Sequence, residues 1–207
     1  MKEIRDQNLI EAHRLGYSIN DALPLLEISG KEQALEDVIA RLASLHAIIA
    51  SSYGFPKEKA KNWLIIEGYF SSLSERERKY IDSESVPNQD SLFQWQVEAL
   101  WVLAWALGIH DNLDFSDSCQ DDFVKMLPDL EVKSHISSFL GDMKLRSSWD
   151  LIRYADLAYC LHWAVRDCEL NGRPPPGDIP TRVVVERRRA LEWLIGEGEW
   201  DEDLFDT

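Results

Sequence analysis

The sequence predicts an all-α fold: a single compact domain of about eight helices over residues 1–207, with an acidic C-terminal tail docked on it. Apolar residues recur at intervals of three and four along most of the chain, which is the spacing of one helix face. No segment shows the sustained alternation of apolar and polar residues that is typical of a strand. The length of 207 residues suits one domain with its own core.

Three helices are predicted in the first third of the chain. The first covers about residues 4–15 and ends at Gly16, because glycine readily adopts the left-handed conformation found at helix ends. The second covers residues 31–51. The third covers residues 56–69, where Pro56 suits the first helical turn because that position needs no backbone N–H donor.

A capping box predicts the start of the fourth helix. The Ser74 hydroxyl can accept a hydrogen bond from the backbone N–H of Glu77, while the Glu77 carboxylate accepts one from the backbone of Ser74. This helix is predicted to end near Ile81. Residues 82–90 are polar and contain Pro87, which indicates a loop.

Residues 93–107 are predicted to form the central helix. The apolar residues of this segment leave almost no polar face, and a helix that is apolar on all sides lies in the middle of a domain. Residues 111–129 are rich in acids around a short amphipathic piece at 123–127. Residues 131–140 are predicted to form a further short helix.

Two long helices are predicted near the C-terminus, over residues 149–170 and 181–195. Between them, residues 171–177 contain three consecutive prolines and two glycines, which predicts a stiff, non-helical connector. The tail, residues 196–207, holds six acidic residues and no basic one.

Charge and targeting features exclude several classes of partner. The chain has 22 basic and 37 acidic residues and a net charge of −15, which argues against nucleic acid and anionic membranes as partners. No apolar run is long enough to span a bilayer, and the N-terminus lacks the apolar core of a signal peptide. The three cysteines form no CxxC pair, which predicts reduced thiols. We therefore expect a cytoplasmic protein.

Common catalytic motifs are missing from the sequence. It contains no glycine-rich phosphate loop, no HExxH, no GxSxG and no CxxC. None of the five histidines lies three to five residues from another, so no pair forms half of a zinc-finger site. We therefore expect no catalytic residue, no metal site and no cofactor.

The eight tryptophans admit two interpretations. They either form an aromatic pocket for a ligand or fill the core of a helical domain. Six of the eight lie inside strong helical patterns, which favours the core interpretation.

Embedded polar residues provide the candidate site. Glu98 stands in the most apolar helix, where a carboxylate must be paired or protonated. It is either a general acid or base with a raised pKa, or the partner of an arginine from another helix. Asp156 belongs to a polar stripe on the helix over residues 149–170. The candidate binding cluster consists of Glu98, Asp156, His162, Glu186 and Asp201.

The basic residues of the last helix are predicted to dock the acidic tail. Arg187 and Arg189 could bind the tail carboxylates, with Trp200 as an aromatic anchor and Asp206 as a charged partner. The competing interpretation is a divalent-cation site on the acids of the tail. It is weaker because the tail lacks the glycine-bearing loop and the bidentate glutamate of a calcium site.

Six segments together form a recognisable pattern: Trp95–Leu100, Trp105–Gly108, Leu145–Ser147, Asp156–Asp167, Val185–Leu194 and the ending Trp200-Asp201 to Asp206-Thr207. In these segments the chain resembles a bacterial family of proteins of unknown function, domain-of-unknown-function family 4272. The likeness covers roughly residues 90–207 and is weaker over residues 1–90. It implies a helical fold and a bacterial source, and it brings no activity, cofactor or catalytic residue.

These observations favour a non-catalytic acidic protein that binds a protein partner. The acidic stretches at 111–131 and 197–206 would attract a basic partner. A more specific form is an immunity-type inhibitor of a basic toxin such as a nuclease. The alternative is a small-molecule- or metal-binding enzyme that uses the candidate cluster. Convergence of these side chains within about 5 Å of one water-filled pocket would favour a catalytic or ligand-binding site. Pairing of these side chains with other residues in a dry core would favour a structural role.

Overall fold

The structure is a computed structural model that describes residues 1–28, 31–83, 89–131, 135–136, 139, 141 and 143–201. Within these residues every regular element is helical, which confirms the all-α prediction. The α-helices in chain order are α1 (Lys2–Arg14), α2 (Leu35–Ser52), α3 (Lys57–Glu67), α4 (Glu75–Asp82), α5 (Gln89–Trp95), α6 (Val97–Ala106), α7 (Ser148–Leu170) and α8 (Thr181–Ile195).

Local sequence signals set several helix ends. Helix α4 begins with the expected capping box: Ser74 Oγ accepts from the Glu77 backbone N–H at 3.3 Å, and Glu77 Oε2 accepts from the Ser74 N–H at 2.9 Å. Helix α8 has the predicted bounds. The amphipathic piece in the acidic stretch forms a 3-10 helix over Phe123–Met126. The predicted helix over residues 131–140 falls largely outside the described residues.

Helix α2 begins at Leu35, later than predicted. The preceding Gln33 is held by the end of α8 instead of entering the helix. Its backbone N–H donates to the carbonyl of Leu194 at 3.0 Å, and its side-chain amide donates to the carbonyl of Gly196 at 2.9 Å. A helix start is thus displaced by a tertiary contact that apolar spacing does not reveal.

The predicted helix over residues 93–107 is two helices, α5 and α6, separated by a turn at Gln96. The Gln96 N–H donates to the carbonyl of Phe93 at 3.0 Å, a bond to the third residue back that closes a tighter turn than the α-helix. Helix α5 also begins at Gln89, within the predicted loop. The single-helix prediction was wrong because apolar residues on both sides of Gln96 continue the same pattern.

The core surrounds α6. Helix α6 contacts both α2 and α8, α8 packs along α7, and α7 packs against α1. Five of the tryptophans are buried, whereas Trp95 and Trp149 are about half exposed, which fits the core interpretation of this residue type. None of the described helices combines the length and the apolar character that a bilayer span requires.

The connector after α7 is non-helical, as predicted, and is anchored on the end of α1. Gly177 has a φ of +77°, and a Cβ built there would lie 2.4 Å from the ring of Tyr17. Tyr17 is buried, so its ring lies directly against the backbone of the connector. Only glycine permits this close approach.

Candidate functional site

The carboxylate of Glu98 is buried and bonded on both oxygens. Its Oε2 accepts a hydrogen bond from Arg187 Nε of α8 at 2.8 Å. Its Oε1 accepts from the backbone N–H of Cys119 at 2.9 Å. Both side chains of the ion pair are at most 3 % exposed. The geometry is that of the second alternative for Glu98, an ion pair with an arginine from another helix.

Arg187 extends this pair to the acidic loop, which we define as residues 111–122. Its guanidinium donates to the carbonyl oxygen of Asp114 and, at 2.9 Å, to that of Asp117. Together with the Cys119 N–H bond, these contacts attach the loop to α6 and α8 at three backbone positions. We call this arrangement the Glu98 network. Arg187 was predicted to dock the tail, and the contacts that the described residues show for its guanidinium are with Glu98 and the acidic loop.

Asp156 is completely buried between α1 and α7. Its Oδ1 pairs with Arg5 Nη2 at 2.7 Å, and its Oδ2 accepts from Asn8 Nδ2 at 3.0 Å. Arg5 also donates to the carbonyl of Leu23 at 2.9 Å. The carboxylate therefore joins α1, α7 and the segment after α1, and its oxygens are engaged by partners within the fold.

His162 is buried next to a second arginine of α8. Its Nδ1 lies 2.6 Å from Arg188 Nη1, and Arg188 Nε donates to Glu192 at 2.6 Å. Burial, with the positive charges of Arg188 and Arg166, lowers the pKa of His162 to about 4. The imidazole is therefore neutral at pH 7, and its Nδ1 accepts from the guanidinium.

Glu186 lies in the same helix and is also buried. Burial raises the pKa of its carboxyl, against the opposing effect of the Arg189 and Arg182 charges. Arg189, the other residue predicted to dock the tail, has its Nε 3.3 Å from Glu186 Oε2. Residues three apart along one helix lie on the same face, so this pair lies within α8.

The described beginning of the tail packs against α2, α4 and α8. The Trp200 ring is buried, meets the Trp193 ring edge-on at 5.5 Å between centroids, and lies 4.9 Å from the guanidinium carbon of Arg41. Asp201 accepts from the backbone N–H of Arg76 at the start of α4, at 3.1 Å. Asp206 lies outside the described residues.

The structure does not bring the five candidate residues together at one pocket. Each of them has its own partner, and none of them lines the groove described below. The part of the chain that the structure describes also contains no group of three or more His, Cys, Asp or Glu side chains arranged to hold a metal ion.

A groove of about 860 Å³ opens elsewhere, between α2 and residues 119–131. We call it the α2 groove. Its walls are the second half of α2, the turn after it, the first residue of α6 and residues 119–131. This volume lies within the range of ligand-binding pockets. Apolar side chains that line it include Ile49, Phe55, Val97, Phe123 and Leu127.

The rim of the α2 groove is acidic and partly apolar. Asp121, Asp129 and Glu131 are exposed there, and Lys125 is the one lysine or arginine among the lining residues that the structure describes. Tyr53 is 66 % exposed and Val124 is 43 % exposed. The lining thus offers apolar contact surface next to negative charge.

Two internal bonds fix the groove walls relative to each other. His46 of α2 is buried, and its Nε2 lies 2.9 Å from the carbonyl oxygen of Pro128. At the other end, Cys119 is held by Glu98 through its backbone. The Cys119 side chain is a poor nucleophile, because burial and the nearby Glu98 charge raise the pKa of its thiol to about 12.

The α2 groove was missed by sequence reasoning, because its two walls are far apart in the chain. One signal for it was present. The amphipathic piece at 123–127 lies inside an acidic stretch, and such a piece needs an apolar surface to pack on. The sequence does not reveal that this surface is the second half of α2.

Comparison with known proteins assigns the chain to a family. A family model described as a domain of unknown function (DUF4272) matches residues 5–203. The matched range contains the Glu98 network, the Asp156 pair and the α2 groove. No curated protein and no solved structure gives a significant match.

Proposed function

The chain belongs to the DUF4272 family, and from that premise we propose that it is a non-catalytic protein that acts by binding a basic protein partner. The family description assigns no activity. The proposal therefore rests on the placement of charge in this chain.

The main support is that buried carboxylates are neutralised by arginines inside the fold. Glu98 pairs with Arg187 and Asp156 with Arg5, and the buried Glu77 of α4 pairs with Arg41 of α2. Because each of these pairs cancels internally, the net charge of −15 is carried by the remaining, mostly exposed side chains. A surface with such an excess of one sign attracts proteins of the opposite sign and accelerates their association.

The acidic loop supports the same proposal. The Glu98 network holds its backbone at three positions, so its exposed carboxylates are ordered before a partner arrives. A preordered surface loses less conformational entropy on binding than a flexible one. In its more specific form, the partner is a bacterial toxin such as a nuclease, whose basic active site the acidic surface covers.

Affinity capture tests this proposal. The tagged full chain is expressed in its native host and purified at low and at high ionic strength, and bound proteins are identified by mass spectrometry. We expect one stoichiometric basic partner, whose capture decreases as salt rises. If the partner is a toxin, the purified chain is expected to inhibit it at equimolar concentration.

Charge variants provide the control for the capture experiment. Neutralising three exposed acids of the acidic loop, Asp117→Asn, Asp121→Asn and Asp122→Asn, is expected to reduce capture of the basic partner. The matched control carries the same charge change on exposed acids elsewhere: Asp6→Asn, Asp21→Asn and Glu32→Gln. Recovery of the chain alone, or of a partner whose capture is indifferent to salt, would contradict the proposal.

A further inference from the structure

We infer that the α2 groove is the docking site for a basic amphipathic helix of the partner, which places its apolar face in the groove and its lysines or arginines on the acidic rim. This inference rests on the proposed function, because it identifies which segment of a basic partner makes the contact. It also states where on this chain the contact lies.

The apolar surface of the groove supports an occupant with large apolar side chains. Tyr53 and Val124 stand at its edge with 66 % and 43 % of their surface exposed, next to the buried ring of Phe123. A volume of about 860 Å³ accepts several side chains at once. Contiguous apolar surface with a polar rim is typical of interaction sites.

The shape of the walls favours a helix as the occupant. Among the described residues no strand offers an open edge, so an extended segment has no backbone ladder to join. The walls are a helix and a loop with a 3-10 turn, whose side chains face the opening. Side-chain contact of this kind is the basis of helix-in-groove recognition, in which apolar residues at i, i+4 and i+7 fill the groove.

The charge of the rim selects a basic occupant. Asp121 and Asp129 are acidic residues of the rim, and Glu131 there forms an exposed ion pair with Lys59 at 3.5 Å. The positive charge of Lys125 is offset by Asp122, whose carboxylate lies 3.6 Å from its ammonium. Positive side chains beside the apolar face of the bound helix would meet this rim, whereas acidic ones would be repelled. The same repulsion disfavours a second copy of this chain, which has a net charge of −15.

Two internal bonds fix the described walls of the groove. The bond between His46 and the carbonyl of Pro128 connects the two walls, and the Glu98 network fixes the start of the 119–131 wall. Binding therefore does not need to order these residues, and more of the contact energy contributes to affinity.

Binding of synthetic peptides to the full chain tests the inference. One probe has about 18 residues, roughly five helical turns, with leucines on one face and lysines elsewhere. A second probe has the same composition, with the leucines distributed around the helix. In fluorescence anisotropy we expect the amphipathic probe to bind about tenfold more tightly, a difference of about 1.4 kcal/mol.

Variants at the groove locate the binding site. Tyr53→Ala is expected to weaken binding of the amphipathic probe by about tenfold, because tyrosine is enriched among the residues that dominate binding energy. Val124→Ser is expected to have a smaller effect in the same direction, because valine is under-represented among them. Ile66→Ala is the matched control: Ile66 is 65 % exposed on α3 and lies outside the groove. We expect no change in affinity for that variant.

Charge variants test the contribution of the rim. Asp121→Asn combined with Asp129→Asn is expected to weaken binding of the lysine-rich probe and to reduce its salt dependence. Asp21→Asn combined with Glu32→Gln makes the same charge change on exposed residues outside the groove and is expected to have a smaller effect. Circular dichroism of each variant verifies that the fold is retained.

The outcomes separate this inference from the proposed function. Equal affinity for the two probes, or equal effects of Tyr53→Ala and Ile66→Ala, would overturn the groove as the docking site. The proposed function would stand in that case, because it requires only a basic partner and a charged surface. Absence of a basic partner in the capture experiment would overturn the proposed function itself.

Discussion

The α1–α7 interface and the α2 groove use acidic residues in opposite ways. At the interface, the Asp156 carboxylate is completely buried and is bonded to Arg5 and Asn8. At the groove, Asp121 and Asp129 are exposed beside apolar side chains. Burial and internal pairing, and not residue type, therefore decide which acids are available to other molecules. Buried acids such as Asp156 hold helices together, whereas Asp121 and Asp129 at the groove remain exposed.

The Glu98 network combines features of both regions. Its ion pair is buried, like that of Asp156, yet its remaining bonds hold the acidic loop that leads into the groove wall. The exposed surface therefore depends on a buried charge pair. Changes at the two regions should consequently affect different properties: stability at the interface and binding at the groove.

The largest loss in the free energy of unfolding is expected from Asp156→Ala. The substitution leaves the Arg5 guanidinium buried without its carboxylate, and loss of one partner of a buried pair costs about 3–5 kcal/mol. Urea unfolding measures this loss. The control is Asp167→Ala on the same helix, whose carboxylate pairs with Arg173 at the surface and for which we expect less than about 1 kcal/mol. Equal losses would remove the distinction between buried and exposed acids.

Gly177→Ala tests how much the contact between the connector and Tyr17, at the end of α1, contributes to stability. The new Cβ would lie 2.4 Å from the Tyr17 ring, and the residue would keep a positive φ. We expect a loss of about 2–4 kcal/mol in the free energy of unfolding. Gly172→Ala also has a positive φ but open space around the Cβ, so about 1 kcal/mol is expected there. Similar losses for both variants would exclude a role for the Tyr17 contact.

The protonation of His162 is expected to make the free energy of unfolding depend on pH, with an effect of intermediate size. Its pKa in the folded protein is about 4, below its ordinary value of 6.5, so the unfolded chain binds a proton that the folded chain excludes between these values. This stabilisation is complete above pH 6.5 and is lost as the pH falls toward 4. His46 and His110, whose pKa values burial lowers, act in the same direction.

The variant His162→Gln isolates the contribution of this histidine. Between pH 6.5 and 4, its unfolding free energy is expected to fall less steeply than that of the unmodified chain, by up to about 1.4 kcal/mol per pH unit. Glu186 and Glu192 have raised pKa values from burial and act in the opposite direction, but they are common to both proteins. Parallel pH profiles would show that His162 titrates normally.

The smallest effect on stability is expected at the α2 groove. Tyr53→Ala removes a side chain that is 66 % exposed, so the free energy of unfolding should change by no more than about 0.5 kcal/mol. The same variant is expected to lose most of its affinity for the amphipathic probe. A large loss of stability in urea unfolding would indicate that Tyr53 belongs to the core and not to a docking surface.

Local features of this fold were predictable from the sequence. The capping box at Ser74 and the bounds of α8 involve neighbouring residues, and the structure reproduces both. The start of α2 was not predictable, because Gln33 bonds to the distant carbonyl of Leu194. The turn at Gln96 was not predictable from the apolar pattern, because apolar residues continue on both sides of it.

The candidate site was predictable only in part. Glu98 was recognised as a charge that required either a partner or a perturbed pKa, and Asp156 was singled out on a polar stripe. Their partners could not be identified, because Arg187 and Arg5 are 89 and 151 residues away along the chain. The α2 groove could not be predicted for the same reason, since tertiary packing alone brings its two walls together.

The Glu98–Arg187 pair offers the most direct test of whether buried carboxylates serve structure. Urea unfolding of the unmodified chain, Glu98→Gln, Arg187→Met and the double variant gives the coupling energy of the pair. We expect each single variant to lose about 3 kcal/mol or more, with a coupling of about 2 kcal/mol between them. Single variants that keep full stability, show no coupling and yet lose ligand binding would contradict a structural role and identify Glu98 as part of a functional site.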